Sequence, residues 1–375
     1  MIPVDPLLSV GIPLGMPLSL AWDRPLYVRY LLGSDDEPEL LADWAWRVEL
    51  DEPVHIAEAG DFGLFLEIQL DPSDPGDVTV IRIPLRAVPI DRSGSVIVDD
   101  HRFLSGHPSD FLTDLYDGSV LGAALAGLGE IERDNVPGDV ILPSGEVRLE
   151  QLANREVVLW HLANDLAFEA RLQMSESAVR RFLHSGGRLF LVAGRVASRL
   201  TGLYGYPKEA PDDAAPEWTG HRIWRELGIG GRLVSIPSDS SPATLEASGL
   251  IGAEPIRPEL PPLALAPSKW DPYEVLGGRY LGGINLWEGL WEPEGSSATI
   301  EPLYAAATFD TTYRFGPRVS GLDGAVIAWR ATVAPEEGTS FREGRVVVFD
   351  FETYYFDDDA VGAAAAAAID WLVAP

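Results

Sequence analysis

Hydrophobic residues near the middle of the chain form two short continuous runs with a helical pattern between them. Residues 157–160 and 189–192 are apolar runs typical of strands that are buried on both faces. Between them, residues 175–184 carry apolar side chains at helical spacing: Ala178, Val179, Phe182 and Leu183. Gly186 and Gly187 end that helix. The pattern predicts a β-α-β crossover whose two strands lie parallel in one sheet.

Strand and helix patterns alternate through most of the chain after about residue 93. Further strands are predicted at 95–100, 129–135, 324–330 and 345–350, and helices at 109–125, 149–154 and 360–372. Residues 201–320 are rich in Pro and Gly, with weak helical patterns at 218–227 and 241–248, and we interpret them as an irregular insertion packed over the sheet. The prediction is an α/β domain, a mostly parallel sheet with helices on both faces.

The first 92 residues show strand patterns without a long helical pattern. The predicted strands are 18–22, 26–32, 44–50, 54–57, 62–70 and 78–85, separated by turn residues. This spacing predicts an N-terminal all-β sandwich domain over residues 1–92, and an α/β domain over residues 93–375.

Charge and composition narrow the classes of partner. The chain has 58 acidic and 28 basic residues, a formal net charge of −30, which argues against binding to nucleic acid or to an anionic membrane. No apolar run reaches 18 residues, so we expect no membrane insertion, and the N-terminus shows no signal-peptide pattern. The absence of cysteine excludes disulfides, thiolate zinc sites and cysteine nucleophiles.

Polar residues at the carboxyl ends of predicted parallel strands are the candidate ligand site, since ligands of open α/β sheets bind there. These residues are Asp99, Asp100, His101, His161, Asn164, Asp165, Gly194, Arg195 and Glu352, with Thr353 beside them. His101 and His161, near Asp99 and Asp165, would form the best metal or acid–base cluster, although we favour the simpler explanation that both are hydrogen-bonding histidines at strand ends. The six histidines include no pair at metal-ligand spacing, so we expect no metal and no cofactor. Asp357, Asp358 and Asp359 are explained by the dipole of the last helix.

The N-terminal segment resembles a class of extracellular modules. The segment Leu18-Ser-Leu-Ala-Trp22, the later Trp44, and the alternating apolar pattern of residues 58–67 are similar to immunoglobulin-like or fibronectin type III-like modules. Such modules precede catalytic or pseudo-catalytic domains in bacterial surface proteins.

From about residue 94 the motifs follow one another in a definite order: a strand ending in Asp99-Asp100, a strand ending in Trp160-His161, a helix followed by Gly186-Gly187-Arg188, and the strand pattern of residues 344–352 before an alanine-rich helix. This order resembles the class I glutamine amidotransferase-like (flavodoxin-like) superfamily, especially its non-catalytic members in surface and secreted proteins. Active members carry a cysteine at the turn after the strand equivalent to 189–192, and a His–Glu pair after a later strand. Here the turn reads Val192-Ala-Gly-Arg-Val196, and the later strand runs into Phe349-Asp-Phe-Glu-Thr-Tyr354. The resemblance therefore implies a flavodoxin-like fold, an extracellular or cell-surface location and no amidotransferase or peptidase activity.

We accordingly expect a non-catalytic binding or structural protein, part of a surface or secreted assembly, with an unknown protein or glycan partner. Two alternatives stay open. One is a carboxylate-dependent hydrolase acting on glycans, with Trp270, Trp287 and Trp291 lining its cleft. The other is a self-assembling structural subunit, a homo-oligomer formed through the N-terminal sandwich.

Overall fold

The strands and helices of the chain fall into two separate units. The computed structural model describes residues 7–9, 27–33, 38–45, 59–69, 71, 73–74, 76–88, 90, 92–99, 120–126, 128, 131–135, 147–162, 172, 175–193, 226–229, 232–235, 250–266, 288–291, 298–308, 324–335, 339, 341–351, 353 and 356–375. Contacts between Cα atoms divide the chain into a first unit, Met1–Asp91 with Glu336–Ser340, and a second unit, Arg92–Pro335 with Phe341–Pro375.

The described strands of the first unit form one five-stranded sheet. They are β1 (Leu7–Ser9), β2 (Tyr27–Gly33), β3 (Pro38–Ala45), β4 (Gly60–Gln69) and β5 (Val78–Val88), in the order β1-β5-β4-β2-β3. All neighbours are antiparallel except β1 and β5, which are parallel. The expected sandwich of two packed sheets is therefore wrong for the described residues, which build a single sheet.

Three of the predicted N-terminal strands are confirmed as β2, β4 and β5. The strand expected at 44–50 overlaps the described strand β3 at Trp44 and Ala45, and residues 46–50 lie outside the described residues. Strand β3 begins at Pro38, where Pro-Glu-Leu-Leu-Ala-Asp has no strand-like alternation. The strands expected at 18–22 and 54–57 lie outside the described residues.

The second unit carries the remaining described elements. Its strands are β6 (Ser95–Asp99), β7 (Ile131–Asn135), β8 (Val157–Leu162), β9 (Arg188–Ala193), β10 (Arg232–Ser235), β11 (Leu250–Pro255), β12 (Leu263–Ala264), β13 (Glu288–Trp291), β14 (Ala298–Thr308), β15 (Val326–Val333) and β16 (Gly344–Phe349). Its described helices are α1 (Leu121–Ala124), α2 (Leu149–Ala153), α3 (Glu176–His184) and α4 (Asp358–Val373).

These strands join in one mixed sheet, which corrects the predicted fold class. Its main path is β12-β11-β14-β15-β16-β9-β8-β6-β7, with β10 paired to β13 and β13 paired to β15. From β16 to β7 every neighbouring pair is parallel, whereas every pair from β16 back to β12 is antiparallel. The sheet is thus not mostly parallel. Because the described residues contain few helices, and only α3 and α4 exceed five residues, a flavodoxin-like arrangement with helices covering both faces is wrong.

The fold class was mispredicted because part of the antiparallel half of the sheet is formed by residues 201–320, the segment interpreted as an insertion. Strands β11, β12 and β14 extend the sheet beyond β15 instead of lying over it. Strand β14 contains Pro302 and a run of three alanines, which are poor strand formers, and its register shifts next to Pro302. The helix expected at 241–248, and most of that expected at 218–227, lie outside the described residues; Glu226 and Leu227 form a turn.

The predicted β-α-β crossover is confirmed. Strands β8 and β9 pair in parallel around α3, and the turn that follows α3 holds Gly186 at φ +84°, in the left-handed region that favours glycine. A Cβ atom on Gly187 would collide with the carbonyl oxygen and ring of Phe182. Both glycines are therefore required where the helix turns back into β9.

The largest core lies between α4 and one face of the sheet. Residues at alternate positions of β8, β9 and β16 reach it, among them Leu159, Phe190 and Val347, and α4 contributes six fully or nearly fully buried side chains. Asp357 caps α4 by accepting a hydrogen bond from the amide of Ala360 at 3.0 Å, which confirms the predicted capping role for Asp357, and Asp358 and Asp359 lie in the first turn of the helix.

Candidate functional site

The carboxyl ends of the parallel strands form the rim where the sequence predicts a ligand site. In the register of the sheet Asp99 lies opposite His161, His161 opposite Val192, and Val192 opposite Phe349. The structure thus brings the backbones of the two predicted residues Asp99 and His161 directly side by side. The side chain of Asp99 is outside the described part of the chain.

Three polar side chains at this rim are buried: His161, Asp350 and Thr353. The amide of Asp350 donates to the carbonyl of Ile327 at 2.9 Å, which fastens the end of β16 to β15. Asp350 was not among the predicted site residues, although a carboxylate directly after the apolar Val-Val-Val-Phe run was a signal for it. These side chains contact protein and not solvent, so a ligand would reach them only if the rim opens.

The other predicted rim residues lie outside the described part of the chain. They are Asp100, His101, Asn164, Asp165, Gly194, Arg195 and Glu352. Among the residues that are described, no group of three His, Asp or Glu side chains could hold a metal ion.

A buried carboxylate that sequence patterns did not identify lies elsewhere in the second unit. Glu226 is almost fully buried, and its Oε1 accepts hydrogen bonds from Arg180 Nε at 2.8 Å and from His184 Nε2 at 3.1 Å. Burial alone would raise the pKa of Glu226, but the His184 hydrogen bond and the Arg180 guanidinium together lower it below its ordinary value. Glu226 is therefore ionised at neutral pH.

His184 has an acceptor at each ring nitrogen. Its Nδ1 lies 2.9 Å from the carbonyl oxygen of Ala334, and its Nε2 faces the Glu226 carboxylate. A carbonyl and a carboxylate only accept hydrogen bonds, so both nitrogens must carry protons for both bonds to form. This arrangement favours the imidazolium form. The cluster of Glu226, Arg180 and His184 acts as an internal ion-pair network that holds the 226–229 turn against α3.

Nothing in the sequence near Glu226 marks it as a partner of α3. Arg180 and His184 are four residues apart, and this spacing predicts from the sequence alone that both lie on one face of α3. Their partner is 42 residues beyond His184 in a weakly patterned segment, and only the folded chain brings it close.

An exposed apolar strand lies in the first unit. In β5 the neighbouring side chains Val80 and Ile81 are 53% and 41% exposed, and because they are adjacent in a strand they point to opposite faces. Among the described strands β5 pairs with β4 along its whole length but with β1 only at Arg86–Val88. We call residues 78–84 the open segment of β5.

Comparison with known proteins gives one distant structural neighbour. No family model matches the chain, and no curated protein matches it. A protein from Bacteroides uniformis ATCC 8492 described as ThuA-like is similar in structure with a TM-score of 0.35 and 11% sequence identity, over 76% of this chain and 92% of that chain. Similarity at this level shows neither family membership nor function. The amidotransferase-like resemblance of the sequence motifs is therefore not established.

The lengths of the described helices can be compared with the length needed to span a membrane. None of them is long and apolar enough to cross a bilayer, and the longest, α4, has 16 residues.

Proposed function

We propose that this chain is a non-catalytic binding protein, and that its first unit binds an extended polypeptide segment of a partner through the open segment of β5. The observation that carries this proposal is the exposure of Val80 and Ile81 on a strand whose outer edge has no described neighbour over residues 78–84.

A strand edge presents a row of backbone amides and carbonyls that can pair with another strand. Soluble proteins usually protect such edges with charges, prolines or covering elements. In the open segment, Arg82 is the one charged residue and Pro84 is the one proline, at its end. The other five of its seven residues are good strand formers: Val78, Thr79, Val80, Ile81 and Ile83. An added strand would gain main-chain hydrogen bonds and would cover one of the two exposed apolar faces.

Charge favours a different protein over a second copy of this chain as the partner. Two copies with a formal net charge of −30 each repel one another at low ionic strength. A neutral or basic partner does not meet that repulsion, and its extended segment would contribute apolar side chains against Val80 or Ile81.

A display library of random peptides, selected for binding to the whole chain, tests this proposal. We expect extended, apolar peptides that bind the native chain, protect amides within residues 78–83 from hydrogen exchange, and fail to bind the double variant Val80→Lys, Ile81→Lys. The matched control is Ile256→Lys, which places a lysine at an apolar residue of the second unit that is 46% exposed. Peptides that bind all three proteins equally, or that protect other amides, would show that β5 is not the binding edge.

The two alternative functions have direct tests of their own. A self-assembling subunit predicts an oligomer in sedimentation experiments at physiological ionic strength, and loss of that oligomer in the β5 double variant. A glycan hydrolase predicts turnover in a screen of polysaccharides. Of the proposed cleft residues Trp270 and Trp287 lie outside the described chain, and Trp291 belongs to β13 without a described side chain.

A further inference from the structure

Two arginines begin adjacent parallel strands at the edge of the sheet opposite the carboxyl rim. Arg188 opens β9, and Arg345 is the second residue of β16, and the two are direct partners in the register of the strands. Each lies two residues before a member of the α4-side core, Phe190 or Val347, so strand alternation places both side chains on the same face. Neighbouring strands of a sheet lie about 4.8 Å apart, so the two arginines begin close together.

A third arginine is brought to the same place by the glycine turn after α3. The amide of Arg345 donates to the carbonyl of Gly187 at 3.0 Å, and a Cβ atom on Gly186 would lie 3.1 Å from the carbonyl oxygen of Arg342. The backbone from 342 to 345 therefore lies directly against this turn. Arg342 is exposed, and its side chain makes no hydrogen bond to a described residue.

The described residues balance only part of the positive charge of this group. Arg188 forms an ion pair with Glu156, and the nearby Glu343 is exposed to solvent. Burial, and then the charges of Arg345 and Arg342, lower the pKa of Arg188. Burial, and then the charge of Arg188, lower the pKa of a fourth arginine, Arg92, to about 10. Like charges held close together repel one another and disfavour folding. A cluster of positive charges is also unusual in a chain whose formal net charge is −30.

The donors of the four arginines are used to different extents. Arg92 donates to the carbonyls of Ala153 and Ser185, and Arg345 Nη1 donates to the carbonyls of Trp371 and Ala374, so these two fasten the ends of helices. Among the described residues, Arg188 donates to Glu156, and Arg342 has no hydrogen-bond acceptor. Arg342, which is exposed, and Arg188, which is 8% exposed, therefore have guanidinium donors that no described residue occupies.

We propose that Arg188 and Arg342, with the charge of Arg345 beside them, bind an oxyanion at the amino-terminal edge of β9 and β16. The ligand class is a phosphate or carboxylate group of a small molecule, because a planar guanidinium matches both groups through two parallel hydrogen bonds. A bound oxyanion reduces the repulsion among the arginines and so stabilises the fold. The site is independent of the proposed peptide-binding strand, since it lies in the other unit.

Thermal unfolding of the whole chain in added anions tests the proposal. Sodium phosphate, sodium sulfate and sodium citrate are compared with sodium chloride at equal ionic strength, which keeps general screening constant. We expect a saturable rise in melting temperature with phosphate or citrate beyond that in chloride, because a ligand that binds only the folded state raises stability with its concentration. A larger effect of phosphate than of citrate identifies a phosphate ligand, and the reverse identifies a carboxylate ligand.

The decisive variant is Arg342→Gln, which removes an exposed charge and is expected to leave the fold intact. We expect it to weaken phosphate or citrate binding about tenfold, the effect of losing one charge-assisted hydrogen bond. Arg86→Gln, an exposed arginine of the first unit, is the matched control and should bind as the native chain does. Equal melting temperatures in all salts, or binding unchanged in Arg342→Gln, would show that the arginines serve only to fasten the helix ends and would overturn the proposal.

Discussion

At the scale of single residues, the buried network around Glu226 is the clearest source of stability that depends on charge. We predict that Glu226→Ala lowers the free energy of unfolding by about 2 kcal/mol, because Arg180 and His184 lose the acceptor that they share. The loss stays below that of a fully buried ion pair, since both partners are partly exposed. Urea denaturation at pH 7 measures it, and a change below about 0.5 kcal/mol would contradict the assignment.

The pH dependence of this contribution has a definite sign. The pKa of Glu226 is lower in the folded chain than in the unfolded chain, so ionised Glu226 favours folding. Its contribution is complete above the unfolded pKa and is lost as the pH falls through the folded pKa. We predict that the stability difference between the native chain and Glu226→Gln shrinks on acidification from about pH 6 to about pH 3. A difference that grows over this range would contradict the lowered pKa.

Arg92 is the second residue whose loss should be costly. Its guanidinium donates to the carbonyls of Ala153, Arg155 and Ser185 and lies over the ring of Phe182, with 4.7 Å between Cζ and the ring centre. We predict that Arg92→Met lowers the free energy of unfolding by about 2 kcal/mol, because several buried carbonyls lose their donor. Arg86→Met, at an exposed arginine paired loosely with Asp61, should change it by less than about 0.5 kcal/mol.

The sequence patterns predicted the adjacency of Asp99 and His161 but not these networks, and the reason is physical. Asp99 and His161 follow apolar strand runs, and parallel strands end at the same edge, so their proximity was predictable from the two patterns alone. Arg92 and Glu226 act through partners 42 to 93 residues away, and nothing periodic in the chain encodes those contacts.

At the scale of elements, the strongest sequence patterns located their elements to within about two residues. Strands β8, β9 and β16 and helix α4 are each within that margin of the predicted bounds, because continuous apolar runs and an alanine-rich amphipathic face are unambiguous. Strands β11 and β14 carry Gly, Pro and Ala in place of β-branched residues. Their strand conformation depends on pairing with β15 and with each other, which no local pattern reports.

Helix α4 offers a matched pair of neighbouring alanines for testing its packing. Ala365 is fully buried against the sheet, whereas Ala366 is exposed. We predict that Ala365→Asp lowers the free energy of unfolding by about 4 kcal/mol or more, because it forces an unpaired carboxylate into an apolar core. Ala366→Asp should cost less than about 1 kcal/mol, the difference in helix propensity. Circular dichroism during urea titration measures both, and similar losses in the two variants would contradict the orientation of α4.

At the scale of the whole molecule, the parallel half of the sheet was predicted and its antiparallel half was not. The β-α-β unit implied parallel pairing of β8 and β9, and applying the same strand–helix alternation to the rest of the chain predicted a mostly parallel sheet. Strand β16 instead pairs in parallel with β9 and antiparallel with β15. The apolar pattern of a buried central strand is the same whether its neighbours are parallel or antiparallel. The sequence pattern could therefore not reveal the change of strand direction at β16.

The second unit should fold without the first. Every member of its main core, from Ile97 on β6 to Leu372 on α4, lies within Arg92–Pro335 or Phe341–Pro375. A chain of residues 92–375 therefore keeps the whole of that core, and the short 336–340 segment that groups with the first unit contributes none of it. Since burial of apolar side chains dominates folding, we predict that this fragment unfolds cooperatively. Its melting temperature should lie within a few degrees of the temperature at which the second unit melts in the full chain. Calorimetry of both proteins measures this. A fragment that is insoluble, or that lacks near-ultraviolet circular dichroism while keeping secondary structure, would show that the first unit completes the core of the second.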